Sequence, residues 1–286
     1  MASAGEAVKI DSRIGTMHNL ENLMIGLASV STMEILRTRD VLALSRNMFD
    51  ELAEPLDLMV RKNPLAIKNS PLTKGREEGM RAFVVIGTDR PICGLHNEKL
   101  LHKVTAELKK ENVPNEQSIF FPMGRRIAYL LKNTGQPISR VFPSTSPQRT
   151  MTVEDLSSLY EILLDSFLRG ECHSVNLIYY KDSPDPFVRQ LLPIPTDSLP
   201  ILEKSSLQPI VEPRDEIVID WMLKHFFILG LYNDFLTSAL QEFKVRLEIA
   251  TQAQIGIPDL IKTLELEGNK IRLAQITDQI SELQGS

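Results

Sequence analysis

The chain has 286 residues, of which 43% are hydrophobic, and a formal net charge of −5 at pH 7. This length allows a sizeable core in one or two domains. Acidic and basic residues are mixed along the chain, which argues against a nucleic-acid-binding protein, and the apolar runs are too short to cross a membrane. The polar start lacks the apolar core of a signal peptide. The two isolated cysteines, Cys93 and Cys172, are typical of free thiols in a reducing compartment.

The first long element is a helix predicted over residues 8 to about 60. Apolar residues recur three or four positions apart from Ile10 to Val30, which is the helical period. Pro55 and Pro64 mark its end. Between Ile14 and Leu36 there is no Lys or Arg. We expect a helix so poor in charge to be covered on more than one face.

The middle of the chain alternates between short apolar runs and helical patterns. Strands are predicted at residues 81–87, 118–121, 140–142, 175–180 and 187–192, and helices at 97–111, 123–133 and 152–170. Thr152 and Asp155 have the spacing of a capping box at the start of the third helix. The alternation predicts a parallel-type sheet with helices on its faces, and the last strand is predicted as an antiparallel edge.

A second long helix is predicted at the C-terminal end. Seven prolines between residues 181 and 213 predict an extended segment, and helical spacing of apolar residues follows from about residue 214. A helix of about 70 residues would be about 105 Å long, so we expect it to pack on the N-terminal helix or to enter a partner. Gly256 and Pro258 predict a kink or break within it.

The predicted fold class is α/β, with an antiparallel coiled coil of the long terminal helices and a central Rossmann-like α/β domain. The predicted parts are an N-terminal helix at 1–62, a hinge at 63–80, the α/β domain at 81–195, an extended linker at 196–213, and a C-terminal helix at 214–286.

No catalytic constellation emerges from the residues. The turn from Thr88 to Gly94 follows a strand, where α/β sheets bind ligands, but it has no phosphate-binding motif, and a structural turn is favoured. Cys93 and His96 do not form a recognisable nucleophile–base pattern, so a buried thiol is favoured. The five histidines lack metal-ligand spacing. Turn chemistry is the simpler explanation of Asp182, Asp185 and Arg189. We predict no catalytic residue, cofactor or metal.

Four segments, in the right order, carry a resemblance to a known family. Residues 86–97, Ile-Gly-Thr-Asp-Arg-Pro-Ile-Cys-Gly-Leu-His-Asn, resemble the Thr-Ser-Asp-Arg-Gly-Leu-Cys-Gly-Gly-Leu-Asn signature of the gamma subunit of F-type ATP synthases. Residues 177–193 resemble that family's strand pair and its Gln-Leu-Leu-Pro exit. Residues 269–277 resemble its C-terminal Asn-Lys-x-Arg-Gln-Ala-x-Ile-Thr. Residues 10–19 fit the family's Ile-x-x-Arg-Ile-x-Ser-Val-x-Asn opening through Ile10, Arg13, Ile14 and Asn19. Outside the four segments, the matching positions are Glu242, Arg246 and Ala253.

The resemblance implies the rotor of a rotary ATPase, a subunit that catalyses nothing itself. In the family, the terminal helices form a coiled coil inside a ring of alpha and beta subunits. The α/β domain lies against the epsilon subunit and the membrane ring of c subunits. The implied location is peripheral, on the cytoplasmic face of the cell membrane, without direct membrane insertion. Implied partner contacts are Arg13, Asn19, Asp89, Arg90, Glu242, Arg246, Asn269, Arg272 and Thr277.

The chain departs from the family pattern along both helices. The family has Lys and Arg on the first helix, facing acidic levers of the beta subunits, at positions that are here Asn22, Ala28, Glu34 and Leu36. In the C-terminal segment, Leu273 replaces a glutamine that contacts a beta-subunit loop, whereas Arg272 is retained. Other replacements are Pro91 and Leu95 for glycines of the signature turn, and Gly256 and Pro258 within a helix that the family keeps continuous.

Three functions therefore stay open. The favoured one is a divergent gamma subunit, including that of an alternative or accessory F-type complex, which couples proton or sodium flow to the beta-subunit sites. The second is a gamma-derived structural or regulatory protein without full torque transmission, which the lost basic residues favour. The third is an independent α/β enzyme whose helices only dimerise it, and the absence of a catalytic set speaks against it.

Overall fold

The computed structural model describes residues 2–111, 114–144, 150–200 and 214–284. They fall into two units: Met1–Met33 with Phe243–Ser286, and Glu34–Glu242. The helices are α1 (Ala2–Lys62), α2 (Pro64–Asn69), α3 (His96–Lys110), α4 (Arg125–Asn133), α5 (Ser157–Leu168) and α6 (Asp215–Gln284). The strands are β1 (Met80–Ile86), β2 (Ser118–Met123), β3 (Cys172–Tyr180) and β4 (Pro186–Leu192).

In the first unit, α1 and α6 pair antiparallel. Arg272 Nη2 lies 2.6 Å from Asp11 Oδ1, and Gln254 donates to the carbonyl oxygen of Met24 at 3.1 Å. Later residues of α1 therefore lie beside earlier residues of α6. The seam buries apolar side chains from both helices, namely Ile10, Met24, Ile257, Ile261 and Leu264. The predicted coiled coil of the terminal helices is confirmed in this unit.

In the second unit, the four strands form one sheet in the order β2-β1-β3-β4. β1 is parallel to both β2 and β3, and β4 is antiparallel to β3. Because β1 is central, its last five residues are all buried. Phe83 and Val85 point to the face that packs on α3 and α4, through Leu100, Val104, Ile127 and Leu131. The predicted α/β class, with its antiparallel edge strand, is confirmed.

The parts of α1 and α6 that belong to this unit also run antiparallel. Lys62 Nζ lies 3.0 Å from Asp215 Oδ1, and the rings of Phe49 and Phe226 have centroids 4.8 Å apart. α6 also contacts the sheet, because the Ser238 hydroxyl oxygen accepts the backbone N–H of Tyr180 at 3.3 Å. The first third of α6 is therefore anchored to both the second half of α1 and β3.

Several predicted element bounds were wrong. Residues 140–142 form no strand: Phe142 makes an isolated bridge to Met123, and a second isolated bridge joins Ile138 to Phe120. Prolines 137 and 143 flank it, and a proline cannot donate to a sheet. The predicted helix at 123–133 begins at Arg125, because β2 extends to Met123. The predicted helix at 152–170 starts with a 3-10 turn, where Asp155 accepts the backbone N–H of Thr152 at 2.8 Å.

Of the predicted kink or break at Gly256–Pro258, the break is absent and the kink stays a prediction. α6 runs without interruption from Asp215 to Gln284 with Pro258 inside it. An interior proline costs roughly 3 kcal/mol because it removes a hydrogen bond and crowds the preceding turn. Pro258 is exposed, and α6 is held to α1 on both sides of it, at Gln254 and at Arg272. The burial of Ile257 and Ile261 on α1 offsets the local cost.

Candidate functional site

The turn after β1 is held together by one buried asparagine. Asn97 Oδ1 accepts the backbone N–H of Thr88 at 3.1 Å, and Asn97 Nδ2 donates to the Thr88 hydroxyl at 2.9 Å. The same amide nitrogen lies 3.5 Å from Cys93 Sγ. Both Asn97 and Thr88 are fully buried. The amide therefore fixes the two ends of the turn and satisfies polar groups that are out of reach of water.

Close backbone contacts complete this turn. Gly124 has φ +107°, and a Cβ there would lie 2.7–2.8 Å from the backbone atoms of Thr88. At Gly87, a Cβ would lie 2.5 Å from Ile127. Only glycine allows the β2–α4 turn to approach the β1–α3 turn this closely.

Asp89 connects three stretches of chain. Its Oδ1 accepts the backbone N–H of Arg125 at 2.8 Å, and its Oδ2 accepts the backbone N–H and hydroxyl of Ser144 at 2.8 and 3.1 Å. Burial by itself would raise the pKa of Asp89, but these hydrogen bonds together hold it below its ordinary value. The carboxylate also caps the N-terminus of α4, where a negative charge is favoured.

Cys93 behaves as a buried structural thiol. It is 2% exposed, and its sulfur lies 3.4 Å from the Thr88 hydroxyl. The ring of His96 lies on the ring of Tyr180, with centroids 4.0 Å apart. Burial raises the pKa of the other thiol, Cys172, to about 11, which keeps it protonated at neutral pH.

The acids near β4 do not form a catalytic cluster. Asp185 Oδ1 pairs with Lys99 Nζ at 3.1 Å, whereas Arg189 Nη1 pairs with Asp234 Oδ2 at 2.6 Å. Burial raises the pKa of Asp234 above its ordinary value even though Arg189 lowers it. The hydroxyl of Tyr179 also hydrogen-bonds Asp234. Asp234 on α6 is therefore joined to both β3 and β4.

The contact residues implied by the resemblance fall into separate places. Asp89 and Arg90 lie in the β1–α3 turn, and Arg13 and Asn19 are exposed on α1. Near the end of α6, Arg272 donates to Asn269 at 3.2 Å, besides pairing with Asp11, and the Thr277 hydroxyl donates to the carbonyl oxygen of Leu273 at 2.9 Å. Glu242 and Arg246 are buried, at 2% and 3% exposure.

Sequence reasoning missed three residues. Asp11 is the partner of Arg272, and Arg125 and Ser144 hold Asp89. Arg125 was detectable from the sequence, because it directly follows Gly124 and begins α4. The pairing of Asp11 with Arg272 depends on the register between two helices, and because the two residues lie 261 positions apart in sequence, local patterns do not encode it.

Apolar side chains are exposed on both terminal helices. On α1, the exposed apolar surface is formed by Leu20, Leu23, Ile25, Val30 and Met33. On α6, Ile255, Leu260, Leu266, Leu273, Ile276 and Ile280 are exposed. Within this chain these side chains of α1 are left uncovered, so cover on a further face of α1 stays a prediction that depends on a partner. Exposed apolar area of this extent is typical of interaction surfaces.

The described residues contain neither a membrane-spanning helix nor a cluster of metal ligands. Within 2–111, 114–144, 150–200 and 214–284, no helix is long and apolar enough to cross a membrane. In the same ranges, no three His, Cys, Asp or Glu residues are placed to hold a metal ion.

Comparison with known proteins matches nearly the whole chain. A family model described as ATP synthase covers residues 6–286. The ATP synthase gamma chain of Glaesserella parasuis serovar 5 is 26% identical over 282 residues, which is 97% of this chain and 96% of that protein.

Solved structures show the same fold. The central stalk and c-ring structure of the Tetrahymena thermophila mitochondrial ATP synthase contains a chain with a TM-score of 0.58 and 17% identity, covering 81% of this chain and 99% of the other. A chain of the Euglena gracilis mitochondrial ATP synthase rotor has a TM-score of 0.51 and 14% identity, covering 92% and 99%.

Proposed function

Because this chain belongs to the ATP synthase gamma-subunit family, we propose that it is the central rotor subunit of an F-type complex. Its rotation couples proton or sodium flow through a membrane ring to conformational change at the beta-subunit sites. The observation that carries the proposal is that the family match runs from residue 6 to residue 286. It includes both terminal helices and the α/β domain between them.

The proposed parts have distinct roles. The coiled coil of α1 and α6 enters the ring of alpha and beta subunits. Its exposed apolar residues, such as Leu23, Ile25 and Leu273, form the contact surface. The α/β domain lies at the membrane side, against the epsilon subunit and the c-subunit ring. The subunit itself is non-catalytic and peripheral, on the cytoplasmic face of the cell membrane. Coupling arises because an asymmetric rotor contacts each beta subunit differently and shifts its conformational equilibrium.

One specific observation favours the second candidate, a structural or regulatory protein without full torque transmission. No Lys or Arg occurs between Ile14 and Leu36, where the family has basic residues. Such a protein would enter a ring and stay there without driving the beta subunits. Leu273, exposed at the end of α6 in place of a glutamine, supports the same alternative.

Reconstitution with alpha and beta subunits from the same source separates the two candidates. For the rotor, we expect a stable complex and ATP-driven rotation of a bead attached to the α/β domain. Addition of the membrane sector should then give ATP-driven ion pumping. Assembly without rotation would support the second candidate. Failure of the chain to assemble with alpha and beta subunits would contradict both.

A further inference from the structure

Two adjoining depressions lie along the outer side of α4 and the end of β1. One, of about 810 Å³, is lined by Asp89, Arg90, Pro91, Arg125, Val141, Phe142 and Pro143. The other, of about 670 Å³, is lined by Arg125, Ala128, Tyr129, Lys132, Gln136, Ile138 and Val141. They share Arg125 and Val141, so they form one continuous surface, which we call the α4 groove.

The α4 groove is positively charged although the chain as a whole has a net charge of −5. Three cations line it: Arg90, Arg125 and Lys132. Among the lining residues, Asp89 is the one acid, and both of its oxygens already accept hydrogen bonds from Arg125 and Ser144. Arg125 Nε lies 3.4 Å from Asp89 Oδ1, but the side chain is 86% exposed and can therefore still pair with a partner. The local excess of positive charge selects for an anionic occupant.

The other half of the α4 groove is apolar and presents an exposed aromatic ring. Tyr129 is 64% exposed and Val141 is 43% exposed. Ile138 and Phe142 lie beside them in the lining, and the guanidinium of Arg140 is 5.3 Å from the centre of the Phe142 ring. Tyr and Arg together are the residue types that contribute most at protein–protein interfaces. An apolar side chain of the occupant is thus expected to lie on Tyr129.

We propose that the α4 groove binds an acidic polypeptide segment that carries an apolar side chain and belongs to another subunit of the complex. This inference rests on the proposed function. Carboxylates of the segment pair with Arg90, Arg125 and Lys132, and its apolar side chain packs on Tyr129 and Val141. Three cations are few for a nucleic acid, which is bound through many phosphate contacts. An anionic occupant without an apolar side chain would make no contact with the apolar half of the groove.

The first test uses the isolated full-length chain and a synthetic copolymer of glutamate and tyrosine as the probe. We expect saturable binding that weakens as salt rises, and a loss of affinity of about tenfold or more in Arg125→Glu with Lys132→Glu. Both side chains are exposed. Arg125→Glu loses the contact of Nε with Asp89 Oδ1 but keeps the backbone N–H that holds this carboxylate, and urea unfolding of the variant checks that the fold is retained. Tyr129→Ala should also weaken binding but leave the salt dependence unchanged.

A matched pair of substitutions outside the groove separates binding in the groove from a general effect of charge. Lys68→Glu with Lys109→Glu makes the same change of charge at exposed sites outside the groove, on α2 and α3. These variants should bind the probe like the wild type. Equal loss in the control pair, equal binding of a lysine–tyrosine copolymer, or binding to phosphatidylglycerol vesicles but not to the copolymer would overturn the proposal.

The second test places the photoreactive residue p-benzoylphenylalanine at Tyr129 in the assembled complex. Phe187, which is 49% exposed on β4, is the control position. The expected product joins Tyr129, but not Phe187, to a segment of another subunit with an excess of Asp and Glu. A crosslink to a neutral or basic segment or to lipid, or no crosslink in an assembled complex, would overturn the proposal. If no complex assembles, the proposed function fails while the copolymer result still decides the chemistry of the groove.

Discussion

At the end of β1, the carboxylate of Asp89 joins the N-terminus of α4 and the backbone at Ser144 to the β1–α3 turn. The same place has a glycine, Gly124, whose positive φ and close approach to Thr88 exclude any larger residue. Asp89 and Gly124 together hold three segments of the α/β domain close to one another.

Replacement of Asp89 with Asn tests the carboxylate. The amide of Asn places an N–H₂ group against one of the backbone donors, so we expect a loss of about 1–3 kcal/mol in the free energy of unfolding. Asp185→Asn, at a 77% exposed side chain, is the control and should cost at most about 1 kcal/mol. Urea unfolding at neutral pH measures both. Equal effects of the two substitutions would contradict the assigned role.

The pH dependence of that difference has a definite sign. Because the folded-state pKa of Asp89 lies below its unfolded value, its stabilisation is fully present above the unfolded pKa, about 4. It is lost as the pH falls through the folded pKa. The stability difference between wild type and Asp89→Asn should stay constant from pH 7 to about 5 and shrink below about 4. A difference that grows on acidification would refute the ionised carboxylate.

Replacement of Gly124 with Ala tests the close backbone approach. A Cβ at 2.7 Å from the Thr88 backbone has no flexible neighbour to displace, and φ +107° adds backbone strain. We expect a loss of at least about 3 kcal/mol or failure to fold. Gly135→Ala is the matched control, because Gly135 also has positive φ but nothing within 4 Å of the added Cβ. It should cost about 1 kcal/mol, as measured by thermal unfolding.

At the scale of elements, α6 is attached to the sheet by polar groups as well as by apolar packing. Asp234 lies between Arg189 and Tyr179, and Ser238 accepts the N–H of Tyr180. The sequence predicted the helix and the strands but not this attachment. Arg189 was interpreted as a turn residue, because its partner Asp234 lies 45 residues further along the chain.

The ion pair between Arg189 and Asp234 is open to a double-mutant cycle. Arg189→Met leaves a largely buried carboxylate without its cation and should cost about 2–4 kcal/mol. Adding Asp234→Leu removes that charge, so the double variant should be more stable than Arg189→Met alone. Chemical unfolding of Arg189→Met, Asp234→Leu and the double variant gives the coupling energy between the two side chains. Additive losses would show that the two side chains do not interact.

The tolerance of α6 for Pro258 can be tested by substitution. Since α6 tolerates the proline, Pro258→Ala should restore a hydrogen bond and raise the free energy of unfolding by up to about 3 kcal/mol. Gly256→Ala adds a Cβ that has nothing within 4 Å and should give a gain of about 1 kcal/mol. Helix content and thermal midpoint are the measurements. A loss of stability in Pro258→Ala would mean that the proline ring makes packing contacts of its own.

At the scale of the whole molecule, the sequence predicted most of the architecture. Periodicity was sufficient for both long helices, the alternation of strands and helices, and the antiparallel edge strand, because these depend on local patterns. The sheet order and the role of Gly124 depend on contacts between distant segments and were not predictable. Of the candidate site, the β1–α3 turn was located from its residues. The contacts of Asp89 and Arg272 were not.

Association of the proposed rotor with alpha and beta subunits should resist salt. Apolar burial contributes about 25 cal/mol per Å² and is not weakened by salt, whereas exposed ion pairs contribute about 0–1 kcal/mol each. Because α1 lacks Lys and Arg from Ile14 to Leu36, we expect the complex to survive from about 50 to 500 mM salt. Gel filtration of the reconstituted complex is the measurement. Dissociation at moderate salt would contradict an apolar contact surface.

Arg272→Ala belongs to the same experiment. Because the Arg272–Asp11 pair is about half exposed at both partners, its loss should change assembly by less than about 1 kcal/mol. Coupled turnover should fall more than assembly, since the pair helps to position the end of α6 against α1. Lys262→Ala, at an exposed position on the same helix, is the control and should change neither. If Arg272→Ala weakened assembly more than coupled turnover, Arg272 would act mainly in assembly and not in coupling.

The exposed apolar surface of α1 also has a consequence for the biogenesis of the protein. Side chains such as Leu23, Ile25 and Val30 are about half exposed, and surfaces of this kind associate with one another or aggregate when nothing covers them. A newly synthesised chain is therefore at risk from the moment α1 has formed until its partners arrive. For the proposed rotor we therefore expect balanced synthesis of the subunits, or a chaperone that shields α1 in the interval.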